Sequence, residues 1–156
     1  MMKNFAYVRA ASLAAAIKAL STKGAILHAG GTDMLGCMRD EAVSPERVVS
    51  ISGLKELRGI SARPDGGLRI GALTTIAEVA ANASIAAKYA VLAQAAAEVA
   101  SPQLRNQGTI GGNICQRPRC WYFRGDFHCA RKGGDICYAI EGENEYHAIF
   151  GGGPCF

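Results

Sequence analysis

The chain has 156 residues, 49% hydrophobic and 19% charged, which fits one average domain or two small lobes and excludes a disordered polypeptide. Its net charge of +4 is mild and its basic residues are scattered, apart from a cluster at Arg117, Arg119, Arg124, Arg131 and Lys132. Nucleic acid is therefore not expected as a partner, since binding it takes a concentrated basic face. Nor does any apolar run reach the ~18–20 residues of a membrane span.

In chain order, FAYVRA (5–10) is expected as a first strand. Ser12 followed by LAAAIKAL reads as a capped amphipathic helix rather than an export signal, because Lys18 interrupts the apolar stretch. A reducing, cytoplasmic location follows as the expectation, periplasmic only through co-export with a partner, and there the cysteines lean toward metal or redox roles. AILHA (25–29) is the second strand, Gly30-Gly31 the turn, Asp33 the cap of a short helix to about Arg39, and RVVSI (47–51) the third strand. Residues 1–53 thus form a β-α-β-α-β lobe.

A second lobe, 54–156, opens with ELRGISARPDGGLRIGAL, two alternating runs around a Pro64-Asp65-Gly66-Gly67 turn. Thr74 or Thr75 should cap a helix running to about Ala83, and YAVLAQAAAEVA (89–100) is alanine-rich and helical. From Ser101 the pattern turns irregular.

Two glycine loops carry the chemistry. In ILHAGGTDML (26–35) a strand runs into paired glycines and a helix start, an arrangement that lets backbone N–H groups meet an anion at close range. TIGGN (109–113) repeats the device, with Thr109 and Asn113 as uncharged polar neighbours. The bland alternative is a pair of tight turns with no ligand. Neither loop has the GxGxxG or GK[ST] spacing, so neither the Rossmann nor the P-loop fingerprint applies.

AGGTDML, GLRIGALTT and LRNQGTIGGNI, in that order, resemble the FAD-binding subunit of molybdenum hydroxylases. That group includes xanthine dehydrogenase, aldehyde oxidoreductase, carbon monoxide dehydrogenase and 4-hydroxybenzoyl-CoA reductase. The resemblance implies an α/β (α+β) fold of the p-cresol methylhydroxylase or vanillyl-alcohol oxidase type, two small lobes clasping an extended FAD. By it, Ile26, Leu27, His28, Ala29, Gly30, Gly31, Thr32, Asp33 and Met34 hold the pyrophosphate and ribityl region. Thr109, Gly111, Gly112 and Asn113 contact FAD from the second lobe, and Ala72 and Leu73 lie near its other parts. No acid–base triad is expected. In that family a large subunit carries the molybdenum cofactor, a small one two 2Fe-2S clusters, and FAD hands electrons on to an external acceptor.

The segment GNICQRPRCWYFRGDFHC followed by GGDICYAIEG resembles the cysteine-bearing insertion (114–156) of a subset that holds a 4Fe-4S cluster. The matching ligands are Cys120, Cys129, Cys137 and Cys155. Between them stand 8, 7 and 17 residues, too open for a compact ferredoxin run or a zinc knuckle. Gly133-Gly134 and Gly151-Gly152-Gly153 would let the loop bend. Two alternatives stand beside the cluster: zinc held by two cysteines with His128 and His147, or an FAD subunit whose thiols are incidental. Cys115 is expected to pack beside TIGGN as a small buried hydrophobe, with a C-x4-C ligand pair as the competing possibility, and Cys37 is most simply core. Family members continue past this point into an HPSD-like motif, the rest of the second lobe and a further α/β domain, so the chain resembles a front half.

Overall fold

The computed structural model describes residues 2–145, His147 and Cys155. In chain order the elements are β1 (Ala6–Arg9), α1 (Leu13–Leu20), β2 (Ala25–His28), α2 (Met34–Arg39), β3 (Arg47–Ser50), β4 (Ile60–Ala62), β5 (Leu68–Ile70), α3 (Ile76–Ala81), α4 (Ala83–Lys88), α5 (Ala90–Glu98), α6 (Pro102–Gln107), α7 (Ile110–Ile114) and α8 (Trp121–Arg124). They fall into two compact units. One comprises Phe5–Asp33 and Pro45–Gln116, the other residues 2–4, Met34–Ser44 and the chain from Arg117 onward.

The larger unit holds a parallel sheet in the order β1-β3-β2. Parallel strands need a long crossover, and α1 supplies it between β1 and β2. Ser12 caps α1 by accepting from the Ala15 amide at 3.1 Å, as its sequence position predicts. β3 lies in the middle, Val8 and Leu27 both in register with Val49. Val48, Val49 and Ser50 are accordingly buried, the pattern of a strand flanked on both sides. Val49, Ile51, Leu54 and Leu73 share one buried cluster with Ala10 and Ala16.

β4 and β5 form the expected antiparallel hairpin. Its turn is closed by the Arg63 amide donating to the Gly67 carbonyl at 2.9 Å and the Gly67 amide to Asp65 Oδ1 at 3.0 Å. Ile60, Leu68 and Ile70 pack on a helical layer built on Ile76, Val79, Ile85, Ala93 and Ala96. Val79 and Ile85 are fully buried, each burial favouring the folded state by about 1.5–3 kcal/mol.

Helix boundaries depart from the sequence pattern in two places. The expected pair of helices is three, because Asn82 ends α3 and caps α4, its side chain accepting from the Ile85 amide at 3.0 Å. A short amide side chain competes with the backbone in this way. The segment from Ser101 contains α6 and α7 instead of irregular chain. Ser101 caps α6 with Pro102 in its first turn, the placement in which proline sacrifices no intrahelical bond.

The smaller unit buries Cys37, Ala42 and Phe123, with Cys120 and Cys129 packed alongside. Cys37 is core, as expected, at 1% exposure. Arg124 staples the segment by donating through Nε to the Pro118 carbonyl at 2.9 Å and through Nη2 to the Arg117 carbonyl at 3.1 Å. Tyr122, Phe127 and Tyr138 form an aromatic trio with centroids 5.2–6.4 Å apart. Gly133 takes the left-handed conformation, the bend expected there. Gly151-Gly152-Gly153 lies outside the described residues.

Candidate functional site

β2 ends the sheet on one side and delivers Ile26, Leu27 and His28 to its C-terminal end, where Ala29, Gly30, Gly31, Thr32 and Asp33 follow as a loop. The His28 carbonyl accepts from the Ile51 amide at 2.9 Å and fixes the exit from the strand. Gly31 has φ +76°, a left-handed backbone that costs a residue with a Cβ about 1–2 kcal/mol. Gly30 is there for closeness: a Cβ on it would stand 2.1 Å from the Gln107 carbonyl oxygen. Gln107 in turn donates through Nε2 to the Gly30 carbonyl at 3.3 Å. One step further along, a Cβ on Gly108 would lie 3.3 Å from Thr32 Oγ1. The first loop therefore rests on the residues that lead into the second.

The second loop is the helix α7 with its cap. Thr109 is buried, bridges to Thr75, and accepts from the Gly112 amide at 3.2 Å. The Gly111 amide donates to the Ala72 carbonyl at 3.0 Å, and a Cβ on Gly111 would stand 2.8 Å from that same oxygen. Ala72 is thus brought against Gly111, and its side of the chain is exposed. Leu73 differs: its side chain is 1% exposed in the core, so only its backbone is available to a ligand. Asn113 is half-buried on α7, and Met34 opens α2 in the other unit.

The two loops offer unequal numbers of donors. In TIGGN the amides of Ile110, Gly111, Gly112 and Asn113 donate to Thr74 O, Ala72 O, Thr109 Oγ1 and Thr109 O. They are not bare. In the first loop the amides of Gly30, Gly31 and Thr32 have no protein acceptor among the described residues. Gly30 and Gly31 are half-buried and Thr32 is exposed, so these three amides are open to water or to a ligand's oxygens. His28 adds a buried Nδ1 without a partner among the described residues. Burial holds its pKa below the ordinary histidine value, keeping the ring neutral.

The cysteine segment builds a second feature, within the smaller unit. Cys120, Cys129, Cys137 and Cys155 all line one pocket, together with His147, Arg131 and the aromatic Tyr122 and Tyr138. All four thiols are free and half-buried. Both ring nitrogens of His147 are buried and without partners among the described residues. Arg131 donates through Nε to Cys155 Sγ at 2.9 Å. His128 is engaged elsewhere, Nε2 standing 2.8 Å from Asp135 Oδ1 at an exposed position. Cys115 is exposed, not the buried hydrophobe expected, because it stands at the C-terminal end of α7 in the larger unit, and it does not line this pocket.

Among the described residues no three His, Cys, Asp or Glu side chains are gathered tightly enough to hold a single metal ion. A zinc ion needs its donors within about 2.0–2.3 Å, whereas the thiolates of an iron–sulfur cluster bind different irons and stand farther apart. Gln107 and Arg131 are the residues that the sequence left without a role at these two features, whereas His147, offered as a zinc ligand with His128, reaches the cysteine pocket without it. Gln107 sat inside the quoted motif, one residue before Gly108, but nothing in its type announced a bond to Gly30.

Residues 3–138 match the family described as FAD binding domain in molybdopterin dehydrogenase. The aldehyde oxidoreductase FAD-binding subunit PaoB of Escherichia coli K12 is 41% identical over 153 residues, covering 96% of this chain and 48% of that protein. The carbon monoxide dehydrogenase medium chain of Hydrogenophaga pseudoflava is 38% identical over 114 residues, covering 71% and 39%. The chain spans less than half the length of either relative. A match over 96% of the chain has to run through Cys120, Cys129 and Cys137; the shorter one leaves more than a quarter of the chain unmatched. Two solved structures superpose at TM-score 0.68: the carbon monoxide dehydrogenase of H. pseudoflava that lacks the Mo-pyranopterin moiety, at 35% identity, and quinoline 2-oxidoreductase of Pseudomonas putida 86, at 30%. Each match covers 73% of this chain and 40% of the other.

Proposed function

Because the chain belongs to the family of FAD-binding domains of molybdopterin dehydrogenases, we propose that it is the FAD-holding part of the electron-transfer subunit of a molybdenum-containing oxidoreductase of the aldehyde or xanthine dehydrogenase kind. The single observation that carries this is the run of three amides, Gly30 to Thr32, without protein acceptors among the described residues and beside the 107–113 segment. They fit the diphosphate of FAD, whose oxygens accept from backbone N–H without a large protein charge. A bound FAD supplies conversion between single-electron and paired-electron transfer. The chain's own work is to grip and orient: Ile26 to Asp33 and Met34 along the first loop, Thr109, Gly111, Gly112 and Asn113 with Ala72 and Leu73 along the second. In the second loop the grip rests on Asn113's side chain and the exposed Gly112, since its amides are already taken.

The partners of this proposal are a large subunit with the molybdenum cofactor, a small subunit with 2Fe-2S clusters, and an external acceptor. The relatives' names support it, since both are called a subunit or chain of a larger enzyme. A cytoplasmic location belongs to the same proposal; among the described residues no helix is long and apolar enough to cross a membrane.

The finer part concerns the cysteines. We assign Cys120, Cys129, Cys137 and Cys155 as thiolate ligands of a 4Fe-4S cluster, which would supply a one-electron relay. The assignment is supported by their shared pocket and by the two ring nitrogens of His147 in its lining, buried without partners among the described residues. The rival assignment is a mixed Cys/His zinc site that merely stabilises the loop, for which no three donors are gathered around one point among the described residues. Metal analysis of the purified protein separates them. Iron with acid-labile sulfide supports the cluster; stoichiometric zinc without sulfide overturns it.

For the flavin, Gly31→Val is the decisive variant. Its strained backbone should abolish FAD binding, read as loss of flavin fluorescence quenching, with the circular dichroism spectrum retained. Equal quenching in the variant would refute the loop as the FAD site.

A further inference from the structure

Arg131 stands on the 3₁₀ turn Ala130–Lys132, directly after Cys129. That turn is pinned from three sides. The Ala130 amide donates to the Ile136 carbonyl at 2.9 Å and the Lys132 amide to the Cys129 carbonyl at 2.9 Å. Lys132 Nζ donates to the Gly125 carbonyl at 2.6 Å. The guanidinium is therefore carried on a fixed base, and Nε donates to Cys155 Sγ at 2.9 Å. No carboxylate pairs with Arg131 among the described residues; its partner there is the sulfur. A neutral thiol is a weak acceptor and a poor match for a permanent cation. A metal-bound thiolate is a good one.

We propose that Arg131 is a positioning residue that holds Cys155 toward the pocket and raises the reduction potential of the cluster bound there. The proposal rests on the cluster assignment above. Hydrogen bonds to ligand sulfurs and net charge are among the levers that set such potentials. Reduction adds one electron and no bond is made or broken, so the site becomes one unit more negative. A fixed positive charge on the sulfur favours that more negative form. The Nε–H bond adds to it, since donors to an anionic sulfur strengthen as its charge grows.

The test is an anaerobic dithionite titration of the purified, cluster-loaded protein, followed by the electron paramagnetic resonance of the reduced state, with iron counted in parallel. Arg131→Gln should keep its iron and become harder to reduce by about tenfold, a fall of about 59 mV for a one-electron couple. Arg131→Lys, which keeps the charge, should recover most of the shift. Full iron with an unmoved potential in Arg131→Gln overturns the proposal while leaving the cluster intact. Loss of iron in Arg131→Gln alone also overturns it, since Arg131 would then serve assembly rather than potential. Absence of iron from the wild-type protein removes the cluster assignment itself.

Discussion

A Cβ on Gly30 would fall 2.1 Å from a backbone carbonyl, whereas on Gly112 the nearest atom is Thr109 Oγ1 at 3.1 Å. The two glycines answer to different demands. Gly30→Ala should destabilise the fold, by about 1–3 kcal/mol of overpacking, seen as a lower midpoint in urea. Gly112→Ala should leave that midpoint nearly unmoved and weaken FAD binding instead. His28 makes a separate prediction through pH. Burial lowers its folded pKa, so the unfolded chain takes up the proton first as pH falls below about 6.5. Stability should drop through that range down to the folded pKa, and His28→Gln should flatten the slope of melting temperature against pH. Both glycine loops were legible in the sequence as places where backbone must come close. Which partner comes close was not, because Gly30 meets Gln107, 77 positions away, and no local pattern encodes such a contact.

Caps decide the helical elements. At Thr75 the hydroxyl accepts from the Glu78 amide at 3.1 Å while Glu78 accepts from the Thr75 amide at 2.7 Å, a capping box. The Thr75 amide and, at 2.8 Å, the Thr75 hydroxyl both donate to the Glu78 carboxylate and hold it below the usual carboxylate range. Thr75→Ala should cost about 1 kcal/mol, measured by thermal denaturation, and should also loosen the Thr109 bridge beneath the second loop. Ser12 and Thr75 were readable as caps because a polar residue stands immediately before an apolar periodic run. Thr74 was an equal candidate from sequence, and the fold resolves it: its hydroxyl turns inward and donates to the Gly59 carbonyl at 3.1 Å. The break at Asn82 was hidden inside an alanine-rich stretch whose propensity masks any boundary. α6 and α7 were missed for the opposite reason, since glycine and proline suggest loops even where Ser101-Pro102 and Thr109 are sound helix starts.

For the whole chain, the three motifs pointed to the family and the match over residues 3–138 bears that out. The mixed α/β fold follows, shared with medium chains of known structure. The four cysteines Cys120, Cys129, Cys137 and Cys155 line one common pocket, and Cys120→Ser should lower iron content if they bind a cluster. The three amides after β2, without protein acceptors among the described residues, are proposed to receive a diphosphate. Isothermal titration of the purified chain with FAD and, separately, with riboflavin tests it most directly, since riboflavin carries the same ring without any phosphate. Stoichiometric binding of FAD with no measurable binding of riboflavin is the predicted result. A folded chain that binds neither, or binds both equally well, would contradict it.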